Sequence, residues 1–146
     1  MPQTDQSVAS HTSSLQFAFP GESAAIPAAR DRILDFLRER GVHEPEEIDI
    51  LVALQEALIN AVIHGCKNDP SQVVRCSIGM EPQAVTIVIH DPGAGFDIAT
   101  STDLSEDGTN LTQHGRGILL MRGLMDEVSY SNHGSQLKLT KRLPKP

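Results

Sequence analysis

From residue 15 the chain alternates, with apolar Leu15, Phe17 and Phe19 separated by Gln16 and Ala18, the period-two pattern of a half-buried strand. After a Pro20-Gly21 break, Ile26, Ile33, Phe36 and Leu37 recur at near-helical spacing up to Gly41. That predicts strand, turn and helix. A second, longer helix is expected over residues 44–64, opened by Glu44, Glu46 and Glu47 near its positive end, with Pro45 in the first turn and Gly65 just past the end. Two further alternating runs, Val74/Cys76/Ile78/Met80 and Val85/Ile87/Ile89, flank Glu81-Pro82-Gln83 and predict an antiparallel hairpin. Residues 96–114 are dominated by Asp, Ser, Thr, Asn and Gly with no sustained period, and so long a loop inside a compact domain is functional or disordered. A short helix over 117–124 and strands over 127–131 and 136–141 complete the pattern. The order β-α-α-β-β-loop-α-β-β predicts an α+β fold, a two-layer α/β sandwich whose mixed, mostly antiparallel sheet carries its helices on one face.

Residues 1–13 are polar and rich in Ser, Thr and Gln, with too little apolar surface to offset chain ordering. They read as a flexible tail, and 14–146 as the domain. A length of 146 residues fits one domain, and 12 Lys plus Arg against 19 Asp plus Glu leave a net charge of −7. Such a domain repels polyphosphate, so nucleic-acid binding by a basic face is not expected, although a local anion site built from backbone N–H groups remains open. With four Phe, one Tyr and no Trp, the core must be aliphatic. The N-terminal stretch lacks the basic and apolar regions of a secretion signal, and no stretch reads as the ~20 apolar residues of a membrane span. A cytoplasmic protein with no membrane segment is expected. Cys66 and Cys76 are too few for a disulfide scaffold. Cys76 falls on the apolar face of its strand as a buried thiol, and Cys66 reads as an exposed loop thiol. Zinc is not expected, because His64, Cys66, Cys76 and His114 lack paired C-x-x-C spacing.

Three constellations carry candidate chemistry. Projected at 100° per residue, the long helix lines up Asp49, Ala53, Glu56, Asn60 and His64 on one stripe, with Ile48, Leu51, Leu58, Ile59 and Val62 on the other side. A carboxylate one turn from an amide oxygen can hold an attacking hydroxyl beside a hard cation such as Mg²⁺; the plain alternative is a solvent-facing stripe. Strand parity puts Asp91 on the same face as Val85, Ile87 and Ile89, so a carboxylate ends a row of core-facing aliphatics. It can accept a hydrogen bond from an exocyclic amine, while Gly93 and Gly95 let the backbone approach a flat ring; otherwise it is an ordinary Asp-Pro-Gly turn. Finally, Gly115 and Gly117 precede an apolar helical stretch, where bare N–H groups bind anions if the entry is more than a flexible joint.

The three boxes, Glu56-Ala-Leu-Ile-Asn60-Ala-Val-Ile-His64-Gly65, Asp91-Pro-Gly-Ala-Gly95-Phe-Asp97 and Gly115-Arg-Gly117-Ile-Leu-Leu-Met121, occur in that chain order. Together they resemble the N, G1 and G2 boxes of the Bergerat-fold, histidine-kinase-like ATPases, and within them the bacterial anti-sigma-factor serine/threonine-protein kinases. The resemblance covers residues 15–142. It implies ATP or ADP as ligand with Mg²⁺, Asn60 as the metal ligand, Asp91 as the adenine reader, Gly93 and Gly95 along the base pocket, and His64 among the nucleotide-binding residues. Residues 97–114 become a lid, in which Asp103, Glu106 and Asp107 are solvated rather than a Ca²⁺ loop. Gly115 and Gly117 become phosphate contacts, and Arg116 is either another or a surface arginine. Glu56 matches the general base acting on a serine of an anti-anti-sigma, STAS-type partner. Regulation of transcription by partner switching, a sigma factor or other regulatory protein as second partner, and a homodimer follow from the same resemblance. The competing expectation is a nucleotide-dependent binding switch with little or no phosphotransfer. A sensor histidine kinase would need an added phosphoacceptor hairpin, for which the sequence offers no room.

Overall fold

The computed structural model describes residues 13–93, 113–131 and 135–144. Five strands, β1 (Ser13–Pro20), β2 (Val73–Glu81), β3 (Ala84–His90), β4 (Glu127–Ser131) and β5 (Gln136–Arg142), form one sheet in the order β1-β2-β3-β5-β4. Each neighbouring pair is antiparallel, so the parallel component expected of a mixed sheet is absent from the described strands. Hairpins make two of the pairs, and β5 inserts beside β3 because β4 has already turned the chain around. The alternating sequence then builds rows across the core face. One row runs Leu15–Ile78–Ile87–Leu139–Val128 and the next Phe17–Cys76–Ile89–Leu137–Tyr130. A one-residue slip in any strand would turn its aliphatics to water, so burial of this face holds the register.

Helices α1 (Ile26–Glu39), α2 (Glu46–Ile59) and α3 (Gln113–Leu124) cover that face, with α2 packed against both neighbours. The covering residues are Ile33 and Leu37 from α1, Ile50, Leu54 and Leu58 from α2, and Ile118 and Met121 from α3, all fully buried. This is the two-layer α+β sandwich predicted from the element order. Cys76 lies in the core as expected, and burial pushes its thiol up to about 12. The α2 helix starts two residues later than predicted, with Pro45 just before it and Glu46, Glu47 and Asp49 in its first turn. Glu46–Gly65 is one 20-residue helical run of mean hydropathy 1.4, long and apolar enough to cross a bilayer by length and composition, contrary to the sequence expectation. Its apolar character has a local cause: Ile50, Ala53, Leu54, Ala57, Leu58, Ala61 and Val62 all enter the core.

The predicted two-sided division of α2 is redrawn. The core face is formed by positions 50, 54, 57, 58, 61 and 62, whereas Ile48 is exposed and Leu51 and Ile59 are only half-buried. On the predicted polar stripe, Ala53 is core and Asp49 has a structural partner. Lys141 Nζ donates to Asp49 Oδ2 at 2.9 Å and to the Leu124 carbonyl at 2.7 Å, joining β5, α2 and the C-terminal end of α3 through one half-buried ammonium. A cation there also faces the negative end of the α3 dipole. Lys141→Met keeps the aliphatic stem and removes these bonds, and is expected to cost about 1–3 kcal/mol. Urea unfolding checks it: the midpoint should fall with an unchanged slope, and wild-type stability would remove Lys141 as the tie.

Candidate functional site

Past Ile59 the helix changes its winding. Asn60–Gly65 is a π-helix, in which the Cys66 N–H reaches the Ala61 carbonyl at 2.9 Å. Wide turns of this kind concentrate at functional sites. The chain leaves the helix through Lys67 and Asn68, both at φ 56, and not at Gly65 as the sequence predicts. Asn68 holds the exit by donating its N–H to Val62 O at 2.9 Å and accepting the Ser23 N–H on Oδ1 at 2.8 Å.

Gly65 is needed for another reason. A Cβ at this position would stand 2.2 Å from Asp91 Cγ and 2.4 Å from its Oδ1, so only a hydrogen lets the helix backbone pass the carboxylate. Gly93 packs against both, since a Cβ there would meet Gly65 O at 2.6 Å and Asp91 Oδ1 at 2.9 Å. Asp91 itself is 8% exposed, at the end of the β3 core row as strand parity predicts. Its Oδ1 accepts the Gly93 N–H at 2.8 Å, and its own N–H donates to Ser135 O at 3.0 Å. Burial pushes the Asp91 carboxyl above the usual carboxylate range, and the Gly93 bond and nearby His90 pull it partly back. A carboxylate offers about four acceptor sites. Among the described residues the Gly93 N–H occupies one of them, which leaves capacity for an external donor such as an amine.

Glu56, Asn60 and Gly117 form the second group. Gly117 is buried, and a Cβ there would lie 2.8 Å from Glu56 Oε1 and 3.5 Å from Asn60 Nδ2. The sequence places both glycines ahead of a helix beginning at 117, but α3 already begins at Gln113. Gly115 therefore lies in the first turn, where N–H groups lack intrahelical acceptors. Gly117 is the fifth residue, with its N–H inside the helical ladder, and its small size seats α3 on Glu56 and Asn60. Asn60 Nδ2 is buried and makes no hydrogen bond among the described residues. An orphaned buried amide end costs about 1–3 kcal/mol, and an amide oxygen is a hard donor of the kind Mg²⁺ accepts.

Other expected residues fall differently. His64 stands exposed in the widened turn, and partial desolvation of its ring, with Lys67 adding to it, lowers its pKa. Arg116 is exposed on α3. Gly95 and residues 97–112 of the expected lid lie outside the described residues, while Gln113 and His114 belong to α3. Cys66 is buried, not exposed, because Gly21 packs on it: a Cβ at Gly21 would lie 2.4 Å from its Sγ. Burial, then Asp91 and Asp69, push that thiol up. Sequence reasoning missed Ser135, a buried polar residue beside Asp91 that the turn-rich stretch at 132–135 hid among ordinary turn residues.

The structure thus holds a buried acid packed against Gly65 and Gly93, and a carboxylate-amide pair covered by Gly117. A family model described as histidine kinase-like ATPase domain matches residues 19–141. The chain is 33% identical over 136 residues to an anti-sigma F factor of Anoxybacillus flavithermus, covering 90% of this chain and 92% of that one. This chain belongs to the histidine kinase-like ATPase family, on the branch that holds the anti-sigma F factors. It is 30% identical over 127 residues to the anti-sigma F factor of Bacillus subtilis, covering 80% of this chain and 84% of that one. Among solved structures, that of the RsbU and RsbW domains of Rv1364c from Mycobacterium tuberculosis has the same fold, with TM-score 0.58 and 18% identity; it covers 90% of this chain, which spans 33% of the solved one.

The raised Asp91 pKa gives this ATPase-family fold a stability signature. Below about 3.9 the group is protonated folded and unfolded, and costs nothing. As pH rises toward its higher folded value, the unfolded chain releases its proton first, so the ligand-free fold loses stability. Asp91→Asn removes that loss. Nucleotide-free urea unfolding between pH 4 and pH 7 is expected to show the variant gaining on wild type as pH rises, whereas parallel curves would refute the raised pKa.

Proposed function

We propose that this chain is an ATP-binding anti-sigma factor that works by partner switching, and that it phosphorylates a serine of an anti-anti-sigma, STAS-type protein. The carrying observation is the buried Asp91 packed against Gly65 and Gly93, within an ATPase-family fold whose named relatives are anti-sigma F factors. In this reading Asp91 accepts the exocyclic amine of adenine, while Gly93 and Gly95 line the base pocket. Gly115 offers its first-turn N–H to a phosphate, Arg116 adds a positive charge, and Gly117 seats α3. His64 borders the nucleotide from the wide turn. Asn60 holds Mg²⁺, which when bound neutralises charge on the phosphates.

Glu56 accepts the proton of the incoming serine hydroxyl as its oxygen displaces ADP from the γ-phosphoryl group. Positioning and charge neutralisation supply most of the acceleration in such transfers, so Glu56 acts on chemistry more than on binding. A cytoplasmic homodimer exchanging a sigma factor for the phosphorylatable partner completes the reading.

Calorimetry with ATP and GTP tests the base reader. Asp91→Asn should lose about 1–3 kcal/mol of ATP binding through a buried polar mismatch and discriminate less against GTP. Unchanged ATP affinity would take Asp91 out of the site.

Glu56→Gln keeps shape and hydrogen-bonding reach but loses the charge. ATP affinity should stay, while single-turnover transfer to the partner at saturating ATP falls about 10²- to 10⁴-fold. Wild-type transfer by the variant would refute the general base, and no transfer from the wild type to any cognate partner would favour a binding switch.

A further inference from the structure

The described helices cover one face of the sheet, and the positions that alternate with the core rows form the other. On that second face the register aligns Ala18, Arg75, His90 and Gln136 in one cross-strand row and Gln16, Ser77, Val88 and Lys138 in the next. Between the rows lies a trough of about 400 Å³, lined by Gln16, Arg75, Ser77, Val88 and His90. Each polar side chain in this lining offers a hydrogen-bond donor, and among the described residues no carboxylate lines it. The ion pairs of the described residues employ Arg30, Arg38, Arg40 and Lys141, and neither Arg75 nor Lys138 enters one. The side chains of Gln16 and Ser77 likewise make no hydrogen bond among the described residues. Glu81 and Glu127 are the acidic strand residues, and the register sets both in other rows. A chain of net charge −7 thus gathers cations without counter-charges at the middle of one sheet face.

Exposed cations attract anions weakly one at a time, and a set of one sign makes a field that selects its partner by charge. We propose that this face docks an acidic segment of a partner protein, whose carboxylates meet Arg75 and Lys138 while Gln16, Ser77 and His90 donate hydrogen bonds between them. The length of the row favours a chain segment over a small free anion. Gln16 on β1 and Lys138 on β5 stand three strand spacings apart, roughly 14 Å, which one carboxylate does not span. The charge of the whole chain disfavours a nucleic acid, whose further phosphates would meet the acidic remainder of the surface. Strand β3 keeps the trough apart from the nucleotide site, since His90 lines it and Asp91, the next residue, is buried on the core side. The inference does not depend on the nucleotide reading.

Fluorescence anisotropy on the full chain tests it, with a labelled peptide of alternating Glu and Ser as the probe and its Gln–Ser counterpart as the neutral control. The wild type should bind the acidic peptide and not the neutral one. Arg75→Glu/Lys138→Glu should weaken that binding about 10-fold, because two attractions become repulsions. Arg32→Glu/Arg122→Glu makes the same change in net charge on the exposed helix layer and should leave most of the binding. Far-UV circular dichroism checks the fold, and if the reversed pair fails to fold, Arg75→Gln/Lys138→Gln carries the same test. Equal weakening by the two reversed pairs overturns the site, since net charge alone then explains the binding. Equal binding of the neutral peptide overturns it as well. Tighter binding of single-stranded oligothymidylate than of the acidic peptide would assign the face to nucleic acid. A wild-type dimer in light scattering that Arg75→Glu/Lys138→Glu dissociates, with peptide binding unchanged, would assign it to a second copy of the chain; either result overturns the proposal.

Discussion

The contact on which the rest of the structure depends is the passage of the α2 backbone at Gly65 against the buried carboxylate of Asp91. A carboxylate in an aliphatic core is costly unless donors meet it, and the Gly93 N–H meets one oxygen at 2.8 Å. For that to happen, β3 must end on a core-facing position, the segment after it must fold back, and the helix above must come within contact without a side chain. The same crowding makes the site. A Cβ at Gly65 or at Gly93 would collide with the acid, so both positions must stay bare for it to be packed there.

The surrounding architecture supplies the required rigidity. The antiparallel rows deliver Asp91 from β3 to the core face. The α2 helix is divided along its length: Asp49 is tied to Lys141, the central turns lie in the core, and Glu56 and Asn60 face α3. The widened turn from Asn60 to Gly65 then changes the angular step, and this takes His64 off the line while bringing Gly65 to Asp91. One helix therefore serves as core element, site wall and backbone partner of the buried acid.

Several signals are legible in the sequence alone. The alternation at Leu15, Phe17 and Phe19 and at Val85, Ile87 and Ile89 predicts strands that the structure contains, and the parity of Asp91 places it on the core face where it lies. Glycine roles were legible only as positions. Gly65 reads as a helix stop and Gly117 as a helix-entry residue, because sequence shows that a side chain is missing but not what approaches the gap. Cys66 reads as exposed because nothing in its neighbourhood names Gly21, which packs on it from another part of the chain. The start of α3 at Gln113 is hidden by glycines that weaken the helical signal locally, of which Gly117 is tolerated because its missing side chain lets α3 pack on Glu56 and Asn60.

The sequence by itself determined what local forces can specify: strand and helix periods, the order of elements, the aliphatic core, and the chain order of the three boxes. These depend on side-chain spacing within a few residues, and burial of one face selects among very few arrangements. Only the tertiary structure decided the antiparallel order that sets β5 beside β3, the wide turn at the end of α2, the meeting of Gly65 with Asp91 and Gly93, and that of Gly117 with Glu56 and Asn60. Those contacts join residues far apart in the chain, and their energies come from close approach and desolvation, quantities that exist only once both surfaces have been brought together.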